Sequence, residues 1–201
     1  MRGEAMTRLC AKLSDLNISL SELTALEFFA REGNWQTKSY SDLVKCLYAW
    51  EINPCFEHKL KLNHPKAFIN IGNSFDLAKD PCYKSKFDFI VFDNPQGIYD
   101  NYCEHFEAID LTKSLLSDFG IIIFNVNKKP FNYDPYSEWA IRRNKFYGQE
   151  SSILTSKFII QFYTKYFNEL NYFVHHCFEE YRNNEYLSYI VLVLEKQINI
   201  I

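Results

Sequence analysis

Apolar residues fall in short runs along this chain, each closed by a cluster of turn-forming residues and followed by a stretch of mixed polarity. The first spans 24–30 and ends in a turn with Gly33. The second ends at Trp50-Glu51, with Asn53-Pro54 stopping it. The third is 67–71, followed by Gly72-Asn73-Ser74-Phe75-Asp76. The fourth is 87–92, apolar almost throughout after Asp88, and ends at Asp93-Asn94-Pro95-Gln96-Gly97. The fifth is 120–126, ended by Asn127-Lys128-Lys129-Pro130. Runs of this length and composition predict strands, and a nearly continuous apolar run predicts a strand covered on both faces.

The intervening segments predict helices. Leu9, Leu13 and Leu16 give the first 23 residues a short amphipathic helix leaning on the sheet edge or over a ligand. Residues 40–46 predict a helix with Leu43, Val44 and Leu47 inward and Thr37 or Ser39 as N-cap, and 55–62 a short helix closed by Asn63-His64-Pro65. Residues 102–117 and 152–170 predict two more helices. The runs 172–181 and 187–195, joined at Asn183-Asn184, predict a terminal hairpin.

A strand, a turn, a helix and a second strand ending in an acid make a βαβ unit suited to a nucleoside. Free backbone N–H groups lie at the helix start, and Glu51 can accept both ribose hydroxyls. In open α/β sheets ligands bind beyond the carboxyl ends of the strands. That rule gathers residues 29–35, Glu51, Asn73 and residues 93–96 on one rim.

The stretch Leu26-Glu27-Phe28-Phe29-Ala30-Arg31-Glu32-Gly33 resembles the first motif of class I S-adenosylmethionine-dependent methyltransferases, with Glu51 at the position of the ribose-binding acid. A family glycine is replaced here by Arg31 or Glu32. The order of strands and helices is similar to the same family from about residue 24 to 195. The resemblance implies an α/β fold, a three-layer αβα Rossmann-like sandwich whose seven-stranded, mostly parallel sheet runs 3-2-1-4-5-7-6 with an antiparallel strand seven. It further implies one methyltransferase-like domain over 1–201: a helical cap over 1–23, a core over 24–195 and a substrate-side insertion over 131–148.

From the same resemblance, Glu27, Phe29, Ala30, Gly33, Glu51, Asn73, Ser74 and Phe75 would bind S-adenosyl-L-methionine and its product S-adenosyl-L-homocysteine. Asn73 would accept from the adenine amino group, and Phe75 would pack on the adenine face or in the core. Asp93-Asn94-Pro95-Gln96 resembles the Asp/Asn-Pro-Pro-aromatic motif of amine methyltransferases, with Asp93 or Asn94 as the acceptor and Gln96 where the aromatic belongs. Tyr99 is the nearest substitute for that aromatic. As a plain turn after a strand the same tetrapeptide needs no chemistry. His105 is a candidate base or a structural histidine. Lys128, Arg142, Arg143 and Tyr147 would clamp an anionic group of the acceptor, or the arginines would pair with Glu138 and Glu150.

Composition narrows the partners. Eighteen Phe and fourteen Tyr exceed the needs of a core, so some must line a cleft or a contact surface. A net charge of −3 gives no field for polyanions, which places nucleic acid behind a small molecule or glycan precursor as substrate. The six cysteines form no Cys-x-x-Cys pair. Cys55 with His58, and His175-His176-Cys177, are fragments that are better read as structural than as metal ligands. No leader or membrane span is read, so reduced thiols and a cytoplasmic location are expected. The expected activity is N- or O-methylation of a small or medium-sized polar acceptor, anionic ones included, with a homodimer as the candidate assembly. A degenerate fold acting as a cofactor-binding or partner subunit, and an RNA or DNA base N-methyltransferase, are the alternatives. A nicotinamide dehydrogenase lacks its G-x-G-x-x-G here.

Overall fold

The computed structural model describes residues 3–93, 105–131 and 133–197, apart from the side chains of residues 105, 107, 183 and 184. The strands are β1 (Thr24–Phe28), β2 (Cys46–Glu51), β3 (Phe68–Ile71), β4 (Phe87–Phe92), β5 (Leu116–Asn127), β6 (Tyr172–Asn184) and β7 (Leu187–Lys196). They form one sheet in the order β3-β2-β1-β4-β5-β7-β6. The β1–β2, β2–β3, β1–β4 and β4–β5 pairings are parallel, whereas β7 runs antiparallel to both β5 and β6. This is the α/β architecture expected from the apolar runs.

The two faces of the sheet carry separate cores. One joins Leu26, Phe28, Trp50, Ile90, Phe92, Ile122 and Phe124 to helix α7 (Ser156–Glu169), through Ile159, Tyr163 and Phe167. The other joins Ala25, Leu47, Phe89, Val91, Ile121, Ile123 and Tyr189 to helix α1 (Glu4–Asp15), through Ala5, Met6, Leu9, Cys10 and Leu13. That set recurs every three or four residues, so it lies on one side of the helix. Arg8 and Lys12, on the adjacent side of α1, both reach the Glu180 carboxylate of β6 at 2.6 Å.

Between β1 and β2 the expected helix over 40–46 is absent. Only a short 3-10 turn, Thr37–Ser39, forms there. Tyr40 is fully buried beside Phe89, and Leu47 belongs to β2, while Leu43 is 48% exposed. The apolar spacing that suggested a helix is therefore split between a buried anchor, an exposed turn and a strand. Ser39, Ser41 and Asp42 also favour turns over helix interior.

The remaining elements shift their bounds more than their identity. Helix α2 (Glu57–Asn63) precedes β3, and α3 (Ser74–Leu77) follows it. The described part of the helix expected over 102–117 is two short helices, α4 (His105–Ala108) and α5 (Thr112–Leu115), joined by a 3-10 turn. β5 then begins at Leu116 and crosses an irregularity against β4 between Phe87 and Phe89. A Cβ at Gly120 would stand 2.5 Å from Leu116 Cδ1, so a larger residue there would require the Leu116 side chain to shift. Helix α6 (Glu138–Tyr147) lies in the insertion, capped by the Ser137 side chain. The hairpin turns at Glu185 and Tyr186, beyond Asn184, because β6 extends farther than expected.

Candidate functional site

The loop leaving β1 is held in an unusual conformation. Phe29, Arg31 and Gly33 all lie in the left-handed region, with φ of 59°, 50° and 61°. Only glycine adopts that region without steric cost. Arg31 thus supplies, under strain, a backbone shape that a glycine would take freely. Gly33 has a second constraint, since its missing Cβ would fall 2.6 Å from the His64 ring, whose Nε2 lies 2.6 Å from the Gly33 carbonyl oxygen.

Glu51, at the tip of β2, braces this loop. Its Oε2 accepts from the Arg31 backbone N–H at 2.6 Å, and its Oε1 from the Asn53 N–H at 2.7 Å. A carboxylate offers about four lone-pair sites, so two remain for a diol. On that count the residues fit the ribose of S-adenosylmethionine. Ala30, also predicted for the cofactor, is buried, and its N–H donates to the Trp50 carbonyl. Asn73 caps α3, its Oδ1 accepting from the Phe75 N–H at 2.9 Å; Ser74 is buried behind it. The rings of Phe29 and Phe75 face each other with centroids 6.4 Å apart, which brings the tips of β1 and β3 together.

Glu27 points the other way, into the core beneath α1. It is 4% exposed and accepts a 2.6 Å hydrogen bond from the Tyr40 hydroxyl. Burial pushes its pKa up to about 8, against the lowering effect of hydrogen bonds from Tyr40 and Thr37. Its predicted contact with the cofactor would run through this buried side of the loop.

Asp93, just past β4, is the centre of a second buried polar group. Its Oδ1 accepts from Arg182 Nη1 at 2.7 Å, from the Tyr189 hydroxyl at 2.9 Å and, more weakly, from Asn125 Nδ2 at 3.4 Å. Burial raises the Asp93 pKa; the Arg182 charge and the Tyr189 hydrogen bond pull it back. Arg182, Tyr189 and Asn125 went unnoticed in the sequence. The available signal was a polar residue interrupting the apolar alternation of β5 and β7.

The anion-clamp candidates are engaged within the protein. Lys128 pairs with Glu179 at 2.6 Å, with both side chains 8% exposed, and lies over the Tyr181 ring. Arg143 is fully buried, donates to the Asn127 and Ser151 carbonyls, and stacks on Trp139 and Tyr147. The Tyr147 hydroxyl meets that of Tyr163 at 2.9 Å. Arg142, the residue preceding Arg143 on the helix, is half-buried. Asn94, Pro95, Gln96 and Tyr99 lie outside the described residues, as does the His105 side chain. Among the described residues no three His, Cys, Asp or Glu side chains are arranged to hold a metal ion, and no helix is long and apolar enough to cross a membrane. One cavity of about 220 Å³ lies between the amino ends of β2 and β3, lined by Asp42, Lys45, Cys46 and His64 among others, and meets the Gly33 loop through His64.

No protein-family model matches the chain, and no curated protein matches it. Solved structures do. A protein named as the methyltransferase yhhF from Escherichia coli shares 12% identity at a TM-score of 0.56, covering 96% of this chain and 87% of that one. One named as a sarcosine dimethylglycine methyltransferase from Galdieria sulphuraria shares 11% at 0.58, covering 96% and 85%. One named as a methylase from Haemophilus influenzae shares 16% at 0.57, covering 94% and 98%. At these identities the likeness is one of fold: the chain has the class I methyltransferase architecture.

Proposed function

We propose that this protein is an S-adenosylmethionine-dependent methyltransferase acting on a small or medium-sized polar acceptor, a glycan precursor being one such class. The observation that carries the reading is Glu51. An acid at the tip of β2 is hydrogen-bonded to a left-handed loop at the tip of β1, in a sheet of methyltransferase order. Glu51 would hold the ribose hydroxyls. The Phe29 and Phe75 rings would flank the base, and Asn73, with one lone pair left on Oδ1, would accept from its amino group. The bound cofactor supplies an electrophilic methyl group. The chain's own part is then placement, with Asp93 accepting a hydrogen bond from the acceptor.

The neighbours' names extend from a sarcosine dimethylglycine methyltransferase to an RNA methyltransferase from Pyrococcus horikoshii. A small acceptor is preferred here because the net charge of −3 does not attract polyanions. The five described cysteines are unpaired, which supports a reducing, cytoplasmic setting.

A second reading is a degenerate fold serving as a partner subunit. It is favoured by one observation, the use of both Glu51 oxygens to brace the protein's own backbone. Calorimetric titration with S-adenosylmethionine, S-adenosylhomocysteine and NAD separates the two. Saturable binding of the first pair, and none of NAD, is the expected result; no binding of either sulfur nucleoside would leave the second reading.

A further inference from the structure

Polar side chains meet at one place on the α1 face of the sheet: Asp93 from just past β4, Asn125 from β5, Tyr189 from β7 and Arg182 from β6. All three donors reach Oδ1 of Asp93. Among the described residues no hydrogen bond reaches Oδ2. Arg182 is itself largely enclosed, its side chain 10% exposed against 10% for that of Asp93, with its guanidinium over the Tyr189 ring. Its Nε is buried without a hydrogen-bond partner. Burying an arginine with one nitrogen unsatisfied costs stability, and the arrangement persists because the guanidinium is held in place by the carboxylate and the ring.

We propose that Arg182 is a positioning residue for the acceptor site: together with Tyr189 and Asn125 it fixes Oδ1 of Asp93, leaving Oδ2 to receive the hydrogen of an uncharged N–H or O–H acceptor group. The proposal rests on the methyltransferase reading and narrows its acceptor. The Asp93–Arg182 pair is already charge-compensated, so an ammonium acceptor would gain little Coulombic attraction there and a phosphate would meet Oδ2 unfavourably. An amide, amine or hydroxyl gains a hydrogen bond to an oriented acceptor. The other titratable groups facing Asp93 are Tyr189 on β7, Glu27 on β1 and, through Glu27, Tyr40. None of them brings a positive charge, so Arg182 is the group on this face whose charge pulls the Asp93 pKa down against the effect of burial.

The test follows the Asp93 carboxyl by NMR in protein labelled with ¹³C at aspartate carboxyls, assigned by its loss in Asp93→Asn. Parallel calorimetry uses S-adenosylhomocysteine as the probe. Arg182→Gln should raise the Asp93 titration midpoint by roughly 1–3 pH units, as expected for removal of an adjacent opposite charge, and leave affinity for the probe unchanged. Arg182→Lys should restore most of the midpoint, and Tyr189→Phe should raise it by a smaller amount. Because loss of any ion-pair partner moves the midpoint, orientation is read from turnover with a panel of uncharged amines, amides and hydroxyl compounds: Arg182→Gln should lower kcat with the S-adenosylmethionine KM unchanged, and an unchanged kcat overturns the positioning role. Should Arg182→Gln fail to fold, an unmoved midpoint in Tyr189→Phe overturns the proposal. A probe that binds wild type while Arg182→Gln leaves the midpoint unmoved overturns the positioning role alone. A probe that does not bind wild type overturns the methyltransferase reading, and the acceptor role with it.

Discussion

Replacing Glu51 by alanine strips two hydrogen bonds from the rim in one step. The Arg31 and Asn53 amides, now 2.6 and 2.7 Å from the carboxylate, lose an ionised acceptor. An amide left without a partner costs about 1–3 kcal/mol, so the two together should lower stability by roughly 2–5 kcal/mol, less whatever water restores. Glu51→Gln separates the contributions. Its amide oxygen can satisfy one N–H while its NH₂ confronts the other, so the loss should be roughly 1–3 kcal/mol. Urea unfolding at constant m-value measures both. The same variants, titrated with S-adenosylhomocysteine well below their unfolding midpoints, report the second role. If the ribose hydroxyls use the remaining lone pairs, Glu51→Gln weakens binding about tenfold or more. A Glu51→Ala variant within about 0.5 kcal/mol of wild type would refute the bracing argument. Full loss of stability with unchanged affinity would show that the carboxylate serves the loop alone.

Other groups give independent checks. Glu27, raised to about 8 in the fold from its ordinary 4.5, is protonated in the native state across a range where the unfolded chain is ionised. The unfolded state therefore binds fewer protons, and the stability this group contributes is present in full below about 4.5 and is lost as pH rises to about 8. Unfolding by urea at pH 5, 7 and 9 should show Glu27→Gln gaining on wild type as pH rises, and a constant difference would contradict the buried neutral acid. Gly33→Ala should cost roughly 2–4 kcal/mol, from a left-handed backbone and from overlap with His64. Gly148→Ala, with φ of 67° and no atom near its added Cβ, should cost only about 1–2 kcal/mol, and equal melting-temperature losses would remove the packing contribution. Lys128→Met should lower stability by about 3–5 kcal/mol by leaving Glu179 buried and uncompensated, while Lys128→Met with Glu179→Met should recover most of it; an additive double variant in a urea cycle would contradict the pair.

The sheet was legible because each strand is its own signal: a run such as Phe87–Phe92 is apolar on both faces, and both faces are in fact covered. The terminal hairpin was legible for the same reason, although its turn was placed too early. The segment between β1 and β2 was not. Leu43, Val44 and Leu47 have helical spacing, but their fates are decided by Tyr40, which is drawn into the core by a carboxylate on another strand. That contact has no local signature. The basic and aromatic cluster after β5 misled in a similar way. Lys128 and Arg143 look like free cations in sequence, and their partners, Glu179 of β6 and the Asn127 and Ser151 carbonyls, are chosen by the fold.

The proposed site is marked by the strained loop and the buried polar group together more narrowly than by either motif alone. Phe29 and Arg31 hold left-handed conformations that each cost about 1–2 kcal/mol. An ordinary turn would avoid that by using glycine. The cost is tolerated where Glu51 ties the loop to the tip of β2. On the neighbouring strand, Asp93 is buried with a guanidinium when a threonine or valine would close the core more stably. Both departures from the most stable choice fall at the carboxyl ends of adjacent strands, β1 and β4, where the sheet order reverses and α/β folds place their ligands. Strain at the tip of one strand and a buried charge at the tip of the next are what the proposed site for a nucleoside and a polar acceptor would require of this sequence.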